Sequence, residues 1–335
     1  DNATPDHSGS VCPIAQITCH CSALTGCTAS QRTASAEKAF PPVGEFVEVT
    51  GGKVHYLRAG TGPELVLLHG AGGNIRDWTF ALFDRLTETY TVTAFDRPGL
   101  GYTDRVPGIE TGATATDGDS PQAQAKMLRE AAGKLGIADP VVVGHSFGGI
   151  VALAWANAGL DEDAPVNAKA LVSFAGVSMP WPDDIGAYYT VNGSAFGGAV
   201  VIPLIAAIAP DSVIEGSVES VFAPNPMPEG YNAHIGPRLT LRPDSFRANV
   251  RQVNTLYPNV VEMSQRYPEL TLPIEVLHGL EDKTVPIDVH SNELIKIVPS
   301  VSITELPGVG HMPHHTDPDA AIAAIDRAMD RAGLR

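Results

Sequence analysis

Ser146 stands in Gly144-His145-Ser146-Phe147-Gly148-Gly149, directly after the β-branched run Val141-Val142-Val143 and directly before the apolar run 150–156. That pattern reads as strand, sharp turn, helix. A serine held at a strained backbone position needs neighbours without bulk, and Gly144, Gly148 and Gly149 supply the room. A serine hydroxyl attacks a carbonyl only when a base removes its proton, and the base works best when a third group fixes its tautomer and steadies its charge. The short motif alone would also fit a glycine-rich bend carrying a chance serine, so the rest of the chain decides.

The rest of the chain contains both partners. Residues 272–277 are an apolar strand pattern running into a loop that presents Asp282, and residues 301–306 are another, running into a loop that presents His311. Glu281 competes with Asp282 for the acid role, and the pattern His278-Gly279-x-x-Asp282 favours Asp282. His145 sits beside the serine, yet adjacent residues on a turn point apart, so it reads as a spacer rather than the base. His69 and His278 each precede a glycine after a strand and read as structural. Asp96, in Asp96-Arg97-Pro98-Gly99, reads as bracing a loop. His311, His314 and His315 would suggest a metal cluster, but no cysteine lies near and the spacing does not put three ligands on one helix face, so no metal is expected.

Negative charge developing on the carbonyl oxygen needs donors. Residues 65–68 are a buried-strand pattern ending in His69-Gly70-Ala71-Gly72-Gly73, whose exposed N–H groups could hold an oxyanion. The expected pair is the Ala71 N–H and the Phe147 N–H, the second belonging to the residue after the nucleophile. Gly70 and Gly72 in that turn, and Trp181 further on, are the candidates for substrate contact, with packing as the competing reading for Trp181.

With these residues in place, residues 45–335 resemble the alpha/beta-hydrolase family. The motifs are His69-Gly70-x-Gly72-Gly73 followed by Trp78, the stretch from Asp96 to Tyr102, the glycine-flanked Ser146, His278-Gly279-x-x-Asp282 with Val285-Pro286, and Gly310-His311, in the family's order of serine, acid, histidine. The resemblance implies a mainly parallel eight-stranded sheet with helices on both faces, a mainly helical cap, no cofactor, and a serine esterase acting on a small-molecule ester. Epoxide hydrolases and haloalkane dehalogenases of similar architecture use an aspartate nucleophile, against which Ser146 argues. Carbon-carbon bond hydrolases, lactonases and perhydrolases share the serine triad and stay open, as does a slow-turnover ligand receptor built on the fold.

The elements that must position these residues follow from periodicity. Strands are expected at 45–49, 54–57, 65–68, 91–95, 141–143, 170–174, 274–277 and 300–305, and helices at 77–87, 120–135, 147–157, 288–297 and 318–332. Such alternation implies a mainly parallel sheet covered on both faces, with ligands at the carboxyl ends of the strands. The core would comprise 41–176 and 271–335, and the long gap at 177–270 would be an inserted cap. At 335 residues, 44% hydrophobic and 18% charged, the composition is that of a globular enzyme, and a formal charge of −16 argues against nucleic acid, whose binding needs Lys and Arg to neutralise phosphates. The run 200–209 is too short to span a membrane, so no transmembrane helix is expected.

The first forty residues read as a separate, flexible leader. They hold all four cysteines, Cys12, Cys19, Cys21 and Cys27. Leu24-Thr25-Gly26-Cys27 resembles a bacterial lipobox with Cys27 as the acylated residue, which would make the protein periplasmic, secreted or lipid-anchored. The segment before it lacks a basic start and its apolar run is broken by Gln16, Thr18 and His20, so a cytoplasmic protein with idle thiols, or two disulfides of unspecified pairing, stands beside that reading. The sequence leaves the oligomeric state open.

Overall fold

The computed structural model describes residues 27–161, 166–182 and 184–335. Eight strands make one sheet: β1 (Glu45–Val49), β2 (Gly52–Ala59), β3 (Glu64–Leu68), β4 (Thr91–Phe95), β5 (Val141–His145), β6 (Ala170–Phe174), β7 (Ile274–Gly279) and β8 (Val301–Leu306). Their spatial order is β1-β2-β4-β3-β5-β6-β7-β8, with β1 and β2 antiparallel to their neighbours and every other pairing parallel. The carboxyl ends of β3, β5, β7 and β8 therefore open on one edge.

The central strands are apolar on both faces because both faces are covered. Along β3, Val66 and Leu68 join one apolar cluster while Leu65 and Leu67 join the other. The first cluster packs under α4 (Pro121–Lys134), α5 (Phe147–Ala158), α11 (Leu256–Ser264) and α12 (Ser291–Ile297). The second packs under α2 (Arg76–Thr79), α3 (Phe83–Thr87) and the amphipathic α14 (Pro318–Arg331). Helices α2 and α3 occupy the segment read from the sequence as one helix, 77–87. A turn at residues 80–82 separates them, and Trp78 and Phe83 both reach the same cluster. Helix α12 begins at Ser291 rather than at 288, after a turn that brings His290 inward to 4% exposure.

Between β6 and β7 the described residues form no strand. They run through α6 (Ala187–Gly193), a π-helical turn (Gly197–Val201), α7 (Ile202–Ile208), α8 (Asp211–Phe222), α9 (Tyr231–Ile235), α10 (Pro243–Asn254) and α11. This insertion is tied to the sheet through α10. Gln252 donates to the Pro98 carbonyl at 2.7 Å and to Asp119 at 2.9 Å, and its own amide oxygen accepts from Arg97 at 3.2 Å. After β8 comes the short α13 (Pro313–Thr316). Among the described residues no single helix is long and apolar enough to cross a membrane.

Among the first forty residues the described ones depart from expectation as well. Residues 27–39, read as the end of a flexible leader, form a helix, α1. Its small residues explain the docking: Ala29 packs against Ala206 and Ala207 of α7, Arg32 donates to the Ala209 carbonyl at 2.9 Å, and Glu37 pairs with Arg242 at 2.9 Å. Cys27 is exposed and in no disulfide among the described residues, while Cys12, Cys19 and Cys21, and any disulfide that involves them, lie outside those residues.

Helix α5 is buried from Phe147 through Asn157, and its first turn lies so close to β3 that a Cβ on Gly148 would overlap the Leu68 carbonyl oxygen. Gly148→Ala should therefore push α5 off the sheet and destabilise the fold by about 2 kcal/mol or more, as overpacking does. Urea unfolding of the variant checks this, and an unchanged midpoint would refute the packing account.

Candidate active site

Strand β5 delivers Ser146 into the opening at the carboxyl edge. Its backbone sits at φ 52° and ψ −117°, a region that L-residues rarely occupy and that costs of order 1–3 kcal/mol. Three backbone hydrogen bonds hold it there: its N–H donates to the Phe174 carbonyl at 3.0 Å, and its carbonyl accepts from Gly149 at 2.9 Å and Val177 at 3.1 Å. Two neighbouring strand ends bring the other residues. His311 Nε2 lies 2.9 Å from Ser146 Oγ, and His311 Nδ1 lies 2.7 Å from Asp282 Oδ2. All three side chains are buried, Ser146 at 8% exposure. Glu281, the competitor for the acid role, makes no such contact and is exposed.

Asp282 is fixed independently of His311. Its Oδ1 accepts from the Thr284 N–H at 2.8 Å and the Val285 N–H at 2.9 Å, and His278 Nε2 approaches Oδ2 at 3.2 Å. Burial alone would push this carboxyl up. The hydrogen bonds from His278 and His311 and that from the Val285 N–H outweigh it and hold Asp282 well below the usual carboxylate range. An ionised carboxylate at Nδ1 keeps that nitrogen protonated and leaves Nε2 free to accept a proton from the serine.

The expected oxyanion donors face the same space. Ala71, Ser146 and Phe147 line one cavity of about 340 Å³, walled further by Val177, Trp181 and Leu256. Among the described residues neither the Ala71 N–H nor the Phe147 N–H has a hydrogen-bond partner. The loop carrying Ala71 passes close because Gly70 lacks a side chain, for a Cβ there would come within 3.2 Å of the Ser146 Cβ. Gly72, a substrate-contact candidate, has its N–H committed to Asn249 of α10 at 2.6 Å and its carbonyl to Thr240. Its backbone thus ties the loop to the insertion. Trp181 lines the cavity and meets the Tyr257 ring edge-on at 5.2 Å.

Several residues here escaped the sequence reading. Arg97, fully buried, donates from Nε to the His69 carbonyl at 2.7 Å and from Nη2 to the Gly70 carbonyl at 3.0 Å, and its guanidinium lies 4.4 Å from the Phe147 ring centroid. It braces the two segments that supply the unpartnered N–H groups. Its sequence signal is the Asp96-Arg97-Pro98-Gly99 stretch. Asp96 itself accepts from the Ile75 and Tyr102 N–H groups, each at 2.8 Å, and lies 2.6 Å from His55. His290 lines the cavity and accepts from the Ser178 and Met179 N–H groups. His145 is more than a spacer: its Nε2 donates to the His311 carbonyl at 3.0 Å and steadies that loop.

One buried trio, Asp77, His145 and His314, has ligand atoms within 4.8 Å of one another, near enough to share an ion. Several of its polar atoms are engaged already, while His314 Nδ1 has no partner among the described residues. Asp77 Oδ1 accepts from Tyr231 at 2.6 Å and His315 at 2.7 Å, Oδ2 lies 3.4 Å from His314, and His145 serves His311. A hydrogen-bonded cluster behind the His311 loop accounts for it.

Burial, ahead of the charges of neighbouring Arg97, His278 and His315, holds His69, His290 and His314 down at about 4 each, and burial with His314 and His311 nearby puts His145 well below its ordinary range. Unfolded, each would titrate near 6.5. The stability that keeping them neutral reflects is complete above pH of about 6.5 and is lost as pH falls toward 4, because the unfolded chain takes up protons the folded chain refuses. Urea unfolding between pH 7 and 4.5 should show this steep loss. His290→Gln should flatten it by about one proton, roughly 1.4 kcal/mol per pH unit; an unchanged slope would contradict the assignment.

Comparison with known proteins agrees with the fold. Residues 65–325 match the model of the alpha/beta hydrolase family. An uncharacterised protein of Mycobacterium tuberculosis is 25% identical over 87% of this chain and 82% of its own length. A 2-hydroxy-6-oxononadienedioate/2-hydroxy-6-oxononatrienedioate hydrolase of Burkholderia vietnamiensis is 25% identical over 77% of this chain and 84% of its own. Among solved structures, a thermophilic esterase from Thermogutta terrifontis superposes with a TM-score of 0.66 at 22% identity, covering 86% of this chain and 99% of that one. The enol-lactonase of Burkholderia xenovorans superposes with the same score at 14% identity, covering 85% and 100%. The sheet order, the serine turn at the end of β5 and the family match together show that this chain belongs to the alpha/beta hydrolase family.

Proposed function

We propose that the protein is a serine hydrolase that cleaves a carboxylic ester through an acyl-enzyme on Ser146. The observation that carries this reading is the unbroken line from Asp282 to His311 to Ser146 Oγ, at 2.7 and 2.9 Å, whose serine lines a cavity beside two unpartnered N–H groups. His311 Nε2 takes the serine proton as Oγ bonds to the carbonyl carbon, and the Ala71 and Phe147 N–H groups receive the oxyanion. The tetrahedral adduct then breaks its bond to the alkoxy oxygen, which leaves with the proton from His311. Water repeats the sequence: His311 takes one proton, hydroxide adds to the acyl carbon, and Ser146 Oγ departs with that proton as the acid is released. Asp282 stays ionised throughout and steadies the imidazolium.

Carbon-carbon bond hydrolysis on the same residues is the second reading, favoured by the relative from Burkholderia vietnamiensis, whose name specifies a dicarboxylate. The serine cavity supports the ester better. Its charged lining residues are Lys283 and Asp184, one of each sign, which offers a dianion no net attraction.

Ser146→Ala should lower turnover of p-nitrophenyl acetate by at least about 10⁴-fold. Wild-type rates in that variant would sink the assignment. Arg97→Met should lower kcat by about tenfold to a hundredfold with little change in KM, since it loosens a donor that acts mainly on the transition state. A change confined to KM would place Arg97 in substrate binding instead.

A further inference from the structure

A second, larger cavity of about 520 Å³ lies beside the first. Ala71 is a wall of both. Gly70, against Ser146, and Met312, next to His311, also border it, so it begins where a carbonyl held at Ser146 would project one of its substituents. Its far walls belong to α7 and α8 and are hydrocarbon, among them Ile205, Ile208, Val213, Ile214, Val218 and Phe222. Its size falls within the range of sites that hold small organic ligands, well beyond an ordinary packing void.

Apart from the Tyr188 hydroxyl and the Ala71 N–H at the serine end, most of the polar groups along this cavity are already committed. Asn74 donates to the Ile235 carbonyl and accepts from the Arg76 N–H. Ser217 donates to the Val213 carbonyl, Thr240 donates to the Gly72 carbonyl, and Tyr231 donates to Asp77. A guest there finds few free partners for a polar group. The Asp77 carboxylate also borders the space, which disfavours an anion. The mouth continues the pattern: Leu204, Ile208 and Val213 line the cavity and yet are 43%, 61% and 59% exposed. No residue between Asp184 and Asp211 is charged, although the chain as a whole carries a formal −16.

We propose that the space between α7, α8 and the Ala71 loop is a subsite for a long, uncharged hydrocarbon substituent of the substrate, admitted through the apolar rim at Leu204, Ile208 and Val213. The proposal rests on the ester reading for its chemistry and on the cavity for its specificity. The serine cavity then takes the other, shorter substituent. Burying one methylene is worth about 0.8 kcal/mol, or roughly fourfold in kcat/KM at most, so selectivity should climb with chain length.

The test measures kcat/KM below the aggregation limit of each ester in two series: p-nitrophenyl acetate to decanoate, which lengthens the acyl chain, and ethyl to decyl acetate, which lengthens the alcohol. At least a tenfold rise is expected in one series, and that series identifies the substituent that fills the subsite. Val218→Trp, which fills the space, and Ile208→Asp, which places a charge on the exposed rim where folding is little affected, should each remove at least tenfold from the longest ester while leaving the acetate within about twofold. No rise in either series, or a rise that both variants leave intact, overturns the proposal. Calorimetry on Ser146→Ala separates this outcome from failure of the ester reading. Binding of 2-decanone at least tenfold tighter than 2-butanone, and lost in Val218→Trp, supports the subsite even if no ester is turned over; equal binding of the two ketones overturns it.

Discussion

Helix α5 can begin where it does because Gly148 brings no side chain against the Leu68 carbonyl, and the geometry of the site follows from that contact. With the helix seated on β3, the chain must turn from strand to helix within one residue, and that residue is Ser146, at φ 52°. The strain is sustained by its surroundings: Phe174 and Val177 hold the serine from the β6 side, and Gly149 closes the first helical turn. The same placement leaves the Phe147 N–H, first in the helix, with no carbonyl to serve. A close backbone approach thus yields a hydroxyl that lines the cavity and an unpartnered donor together.

Around this turn the protein keeps four histidines neutral and Asp282 charged. Burial suppresses protonation of His69, His145, His290 and His314, while Asp282 remains a carboxylate because two main-chain N–H groups and two imidazoles meet it. Neutral His69 accepts the Arg97 N–H at Nε2 and donates from Nδ1 to the Gly70 carbonyl, so the loop before Ala71 is fixed without adding charge beside the serine. Arg97 is the exception, a buried cation whose burial draws it down to about 9 and whose donors reach His69, Gly70, Gln124 and Gln252. It joins the loop, α4 and α10 at one point, and breaking such a network by removing one member leaves the other groups unsatisfied.

The sheet was legible in the sequence because buried parallel strands are short, β-branched and bounded by turns, and all eight expected strands are present. Ser146, Asp282 and His311 were legible as residues since each follows such a strand. Harder to read was whatever depends on contacts distant in sequence. Asn249 reaches Gly72 across 177 positions and Gln252 reaches Arg97 across 155, and neither leaves a local pattern. The break between α2 and α3 leaves no signal because apolar periodicity runs through it, and the Ser, Thr and Ala of α1 suggest a tether although Ala29 meets α7. Two cavities flanking one serine could not be read from periodicity at all, because they depend on how the insertion folds back.

In the proposed reaction Ser146 becomes covalently bonded to the substrate's acyl carbon. Treating the native protein with an alkyl fluorophosphonate, and mapping the adduct by peptide mass spectrometry, tests it most directly. The account predicts one equivalent on Ser146, formed in step with loss of esterase activity and slowed at least a hundredfold in His311→Ala. An adduct on another residue that abolishes activity, or full activity after Ser146 is labelled, would contradict it.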